Sequence, residues 1–396
     1  MLGDKDKMTL KVKVKNLIIF VVLLTYLKPF NVSLIPTLNT LYSLTKIIVT
    51  FALMLYIIRE KFSLTKASKW CLAFLGWWTV AILSNGNLKN NIQTLLSILG
   101  VLFLFNIMRK KSNGINVILK YLSYISKIYI LLQFYTIVVG HPVLAKAIVS
   151  FDKYFLGSDN YSAFILIPLS GFIMSDALMN KGKIKTGDCF FFGIAFLCLL
   201  IPKSWAGIFA YGVFMVLFFF RKSAFLKKIV NVRSVFIIII LLLIFVIGFN
   251  IQTYFEELLS AFGKVGLNSR EIIWPKAIYA ITQRPLIGYG MLTDNQISSY
   301  ILYGTTHTHN IILEFLMDSG IIGSFFAFMW FKSSVTVKKR LLKYDVITVL
   351  LYCIVAYLLC ATLDFYIALI YFWILIILFD SIKSTVYERE KQGKRV

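Results

Sequence analysis

Two of the chain's three histidines, His307 and His309, stand two residues apart at the head of a strongly apolar run, "HTHNIILEFLMDSGIIGS" (307–324). An imidazole takes or gives a proton near neutral pH, so the pair suits general acid–base chemistry. His-x-His spacing also suits a metal ion, but no third ligand stands nearby in the sequence. Upstream, "SREIIWPKAIYAITQRPLIGYG" (269–290) carries Arg270 and Arg284, whose planar guanidinium groups match phosphate oxygens. Ser269 is placed to cap a short helix in which Arg270 and Trp274 share a face, with Pro275 kinking or restarting it. Trp274 reads either as an anchor at the membrane interface or as a platform for a sugar ring. Glu314 and Asp318, one turn apart, either contact sugar hydroxyls or complement the helix dipole.

The elements that position these groups are membrane helices. The chain's 396 residues are 59% hydrophobic and 15% charged, with a mean hydropathy of +0.80. That composition is a polytopic membrane protein's, here one membrane domain over 1–396. Apolar runs recur at 16–36, 38–58, 69–84, 90–108, 115–139, 160–178, 188–202, 204–220, 233–250, 310–331, 344–362 and 364–382. An all-α fold of about twelve spans follows, because lipid offers nothing to satisfy open strand edges. The five cysteines fall in apolar runs and read as core residues. The first run, from Leu17, reads as an anchor rather than a cleaved leader.

Charge sets the expected orientation. With a cytoplasmic N-terminus, 31 of the 42 lysines and arginines fall in inner segments and nine in outer ones. Both termini are then cytoplasmic, and the net charge of +24 is topological rather than a nucleic-acid footprint. Lys46 and Lys127 fall inside spans, where a lysine costs roughly 2.5–3.5 kcal/mol and so faces a cavity or a partner, unless it snorkels. The largest outer segment, 251–309, ends at the histidines; a shorter one, about 140–159, holds His141, read as a loop residue.

The span after His309 presents its N-terminus to the outside, where free N–H groups and the helix dipole attract phosphate. Asn310 or Thr308 is expected to cap it. On an unbroken helix Gly320, Gly323, Ser324 and Ala327 lie in line beneath His309, a small-residue seam for a neighbouring helix.

On these residues the sequence resembles the bacterial O-antigen ligase and O-antigen (polysaccharide repeat-unit) polymerase superfamily. His309-Asn310, nine residues, then Gly320-x-x-Gly323-Ser324 matches its ligase-type motif. Arg270, Trp274, Pro285, Gly288 and Gly290 match its upstream loop pattern, and Gly157, Asn160 and Ala163 its Gly-x-x-Asn-x-x-Ala stretch. In "IPKSWAGIFA", Trp205 stands where the family often has an arginine, and Lys203 is the nearby cation.

The resemblance implies a membrane glycosyltransferase, GT-C-like in fold, that acts on polyprenyl-diphosphate-linked oligosaccharide at the outer face of the cytoplasmic membrane. It implies catalytic His309 and Arg270, substrate contacts from Arg284, Lys203, Trp274, Asn160, His307, Asn310 and Glu314, and structural Gly288, Gly290, Gly320 and Gly323. Neither metal nor other cofactor is expected. Expected partners are the lipid-linked oligosaccharide, the bilayer, and flippase and chain-length regulator proteins. Polymerisation of capsule, exopolysaccharide or O-antigen repeat units is the leading reading, and ligase-type transfer to a lipid or protein the alternative. A flippase is the non-enzyme alternative; polar groups clustered on one outer face, with no visible repeat, speak against it.

Overall fold

The computed structural model describes residues 17–139, 154–230, 233, 234, 236–238, 240, 241, 244 and 269–393. Its helices are α1 (Leu17–Tyr26), a short α2 (Phe30–Ser33), α3 (Pro36–Arg59), α4 (Lys66–Ser84) and α5 (Leu88–Lys110). There follow α6 (Gly114–Val139), α7 (Asp159–Asn180), α8 (Thr186–Leu200), α9 (Trp205–Phe219) and α10 (Ala224–Ile229). The histidine half contributes α11 (Arg270–Gln283), α12 (Asp294–Tyr300), α13 (Ile311–Val335), α14 (Asp345–Ala361) and α15 (Ile370–Lys391). Among the described residues, six helices (α3, α5, α6, α7, α13 and α15) are long and apolar enough to cross a membrane, and α1, α8, α9 and α14 are shorter apolar helices. The protein is all-α and multi-pass. Most of the expected span at 233–250, residues 1–16, His141 and residues 251–268 lie outside the described residues.

Helix α7 runs through the middle, buried from Ser162 to Ala177, against α6 and α14. Its apolar residues surround the whole helix, as a fully enclosed helix requires. Helices α4, α13 and α15 meet through stacked rings, with Phe74 5.7 Å and Trp330 4.6 Å from Trp373. Helix α3 is peripheral: it packs against α5 and buries only Lys46 and Thr50. Its bare apolar surface suits lipid. Lys127, halfway along α6, pairs with Asp188 at the start of α8 at 2.8 Å, so its charge is compensated by a partner.

One boundary differs from the sequence reading, with consequences for the site. The last span begins at Ile370 rather than 364, so residues 362–369 form a turn between α14 and α15. Asp364 therefore sits in a loop and not in a helix.

Candidate active site

The site is built around the start of α13. Asn310 caps the helix: its Oδ1 accepts from the backbone N–H of Ile312 at 2.9 Å and Leu313 at 3.3 Å. Its Nδ2 donates to Thr362 O at 2.9 Å, tying the cap to the α14–α15 turn. Glu314 accepts from the N–H and hydroxyl of Thr308, at 2.8 and 2.6 Å. Asn310 and Glu314 are buried and committed to these bonds, so they hold the backbone here instead of reaching a sugar. Between Thr308 and Asn310 the chain passes through His309 at φ +57°, a left-handed conformation that non-glycine residues adopt rarely and mostly under constraint.

That conformation, with the cap bonds, brings the two histidines onto Asp364. His307 donates through Nε2 to Asp364 Oδ1, and Thr306 Oγ1 lies 2.9 Å from its Nδ1. His309 donates through Nδ1 to the same Oδ1 at 3.0 Å. The two imidazoles lie 3.9 Å apart, with the Tyr366 ring 4.1 Å from His307. An ionised carboxylate only accepts, so each histidine bonded to it carries its proton on the bonded nitrogen. His307 is then satisfied at both nitrogens. His309 has its Nε2 lone pair left, and its side chain is 20% exposed against 5% for His307. His309 is the member of the pair that a substrate can reach.

Burial alone would raise the Asp364 carboxyl, but hydrogen bonds from the two histidines outweigh it and hold it well below the usual carboxylate range. Burial lowers the pKa of His309, and the bond to Asp364 only partly opposes this. The site thus keeps Asp364 ionised and His309 neutral, the protonation states of an oriented general base.

Arg270 joins this cluster from α11. It is buried, its Nε donates to Leu363 O, and it feels the charge of Asp364. Burial lowers its pKa, yet a guanidinium stays protonated in proteins. Ser269 precedes it at φ +62° and makes no side-chain cap, contrary to the sequence reading. Helix α11 continues through Pro275 without a restart.

Helix α13 is not continuous, which overturns the seam drawn beneath His309. Gly320 has φ +60° and ψ −170°, and the helix breaks there. The loop 285–290 repairs the break: Tyr289 and Gly290 N–H donate to Met317 O and Asp318 O, both at 2.8 Å, and Ile321 N–H donates to Pro285 O at 2.8 Å. A Cβ on Gly320 would lie 2.4 Å from Leu286 backbone, and one on Gly288 would lie 2.5 Å from Gly320 N. The two glycine motifs thus form one clip between loop and span. Gly290 sits as tightly against Ile82 of α4, and Gly323 faces Trp77 of α4.

The remaining expected site residues are spread out. Trp274 is 1% exposed, inside a small core of the loop lobe with Ile273, Ala277, Tyr289 and Met317, so it offers no ring face to a sugar or to lipid headgroups. Arg284 lies at the other end of α11 from Arg270, about 20 Å away at 1.5 Å per residue. There it donates to Asn85 Oδ1 at 2.7 Å and stacks on Tyr289. It does not share a phosphate with Arg270 in this arrangement. Asn160 accepts from Ser204 Oγ at 3.4 Å, next to exposed Lys203, which has φ +59°. They reach the site's edge through Tyr161, 5.0 Å from Tyr366.

The His307–His309–Asp364 group also has a metal site's composition, with ligand atoms all within 4.8 Å of one another. Asp364 supplies the third ligand that the sequence did not reveal. Each bonding atom is already satisfied by another member, which favours the hydrogen-bonded reading.

Residues 190–328 match the O-antigen ligase family model. The match supports the O-antigen ligase/polymerase superfamily, as the motifs implied. It runs from α8 into α13, so it takes in Arg270, Arg284 and His309 but leaves Asp364 outside. No curated protein matches the chain. The family match supports O-antigen ligase/polymerase-type function in general terms.

Proposed function

We propose that the protein polymerises lipid-linked oligosaccharide repeat units at the outer face of the cytoplasmic membrane, with both termini cytoplasmic. The observation that carries this reading is a histidine whose Nδ1 is fixed by a buried carboxylate and whose Nε2 remains open. A hydroxyl of the acceptor sugar gives its proton to His309 Nε2 while its oxygen bonds to the anomeric carbon of the donor. The bond from that carbon to the polyprenyl diphosphate breaks, and the diphosphate leaves with the electron pair. A single displacement inverts the anomeric centre. Arg270 supplies positive charge beside the leaving group, which strengthens in a water-poor site. No step uses a metal.

The same geometry serves a ligase that passes the glycan to a lipid or protein. Flippase and chain-length regulator proteins are the partners this reading adds. The test is His309→Ala in the native host, with membrane insertion checked and the polysaccharide run on a gel. Loss of long chains, with single lipid-linked units exposed outside, supports polymerisation. Long chains left on the carrier lipid point to a ligase, units trapped inside to a flippase. An unchanged ladder removes His309 from the mechanism.

A further inference from the structure

Helix α3 exposes nearly all its apolar surface, yet the only charged residue before its terminal Arg59 points inward. Lys46 is 9% exposed and, with Thr50, is all that α3 buries. Among the described residues no carboxylate pairs with it. Among the described residues the charge that acts on it is another cation, Lys28, which repels it. Lys28 Nζ donates to Asn39 Oδ1 at 2.6 Å. Asn39 and Lys46 are seven residues apart, two turns and about 20° round the helix, and so lie on one face. Cα–Cβ bonds in a helix tilt toward its N-terminus, which for Lys46 is the side on which Asn39 and Lys28 lie. Each ammonium has three donors, and among the described residues one of the six is spent, on Asn39.

Two cations on one face, with no carboxylate partner among the described residues, make a site for an anion. Helix α3 leaves its apolar side chains exposed, as a lipid-facing helix does, and the Lys28 segment lies toward the histidines. From His307, ring-to-ring steps of 4.1, 5.0 and 6.4 Å lead through Tyr366 and Tyr161 to Phe30, two residues from Lys28. This path of rings links the Lys28 segment to the histidine cluster without direct contact between them.

We infer that Lys28 and Lys46 bind the diphosphate of a second lipid-linked glycan, the acceptor, whose far sugar reaches His309. This rests on the polymerase reading. A polymerase holds two lipid diphosphates at once, the donor's at the anomeric carbon and the acceptor's one repeat unit away. A ligase acting on a different acceptor needs only the first.

The experiment counts lipids bound to the full-length chain in nanodiscs by native mass spectrometry, using polyprenyl diphosphate, phosphatidylglycerol and inorganic diphosphate as separate probes. Two polyprenyl diphosphates are expected on the wild type and one on Lys28→Gln/Lys46→Gln. Lys46→Arg is expected to keep both. In turnover assays the double variant is expected to raise KM for the lipid-linked acceptor at least tenfold with the donor's KM unchanged. Lys46→Met, which removes a buried charge, is expected to fold with undiminished thermal stability and serves if the glutamine variants do not. Two lipids on the double variant, or equal occupancy by phosphatidylglycerol or by free diphosphate, overturn the inference. One lipid on the wild type, unaffected by the lysines, overturns it and leaves the donor site standing. No bound polyprenyl diphosphate at all overturns the function proposed above as well.

Discussion

Asp364 Oδ1 accepts a hydrogen bond from His309 Nδ1 at 3.0 Å across a sequence separation of 55 residues. The loop motifs that precede α13 and the turn that follows α14 meet at this carboxylate. Asn310, bonded to Thr362 O, and Arg270, bonded to Leu363 O, hold that turn from both sides. The geometry of the proposed catalytic pair is thus shared between the helix-α13 cap and a turn that begins after the next helix.

The two loop arginines are expected to differ sharply. Arg270→Lys loses a directional bond to the Asp364 turn, and hydrogen bonds of charged groups are worth about 1.5–3 kcal/mol. A fall in kcat of about 10- to 100-fold follows in reconstituted transfer. Arg284→Ala, at the exposed far end of α11, is expected to change kcat by less than about threefold. Equal losses would mean that both arginines act on the substrate.

Gly320→Ala places a methyl 2.4 Å from Leu286 backbone at a left-handed φ. Left-handed strain alone costs about 1–2 kcal/mol, and the clip must open besides. The variant is expected to lose thermal stability in detergent, more than Gly76→Ala, where the added Cβ meets open space. Equal melting temperatures would show that the break in α13 is not required.

Chelation separates the two readings of the histidine–aspartate group. Prolonged EDTA and phenanthroline treatment is expected to leave turnover unchanged, since the three side chains satisfy one another. Loss of activity that zinc or manganese restores would make them metal ligands instead.

Burial lowers the His309 pKa, so the neutral base persists below the ordinary histidine value. The acid limb of kcat/KM is therefore expected below pH of about 6.5. Asp364 opposes the lowering, so Asp364→Asn is expected to move the limb to still lower pH in whatever activity remains. A limb above 7 in the wild type would assign the titration to another group.

Much of the architecture was legible because apolar runs of span length have one solution in lipid. The proposed base was the easier residue to pick out: scarce histidines at an apolar helix start are conspicuous. Asp364 was not, because "ATLDFYIAL" reads as the entry to a span, and only the three-dimensional turn shows it as a loop. One signal was present, since Asp364 is the only charged residue between Asp345 and Asp380. Trp274 misled because an amphipathic ring in a loop suits an interface, whereas the loop folds into a lobe with its own core. The glycine seam failed because helical periodicity assumes an unbroken helix, and Gly320 is where α13 breaks.

The central claim is that His309 and Asp364 act as one unit. A double-mutant cycle tests it directly: kcat of purified wild type, His309→Ala, Asp364→Asn and the double variant on defined lipid-linked repeat units. General-base loss costs about 10²- to 10⁴-fold, and groups acting together are strongly non-additive. The double variant is expected to be no slower than His309→Ala alone. Losses that multiply would show that Asp364 works independently of His309 and would contradict the account.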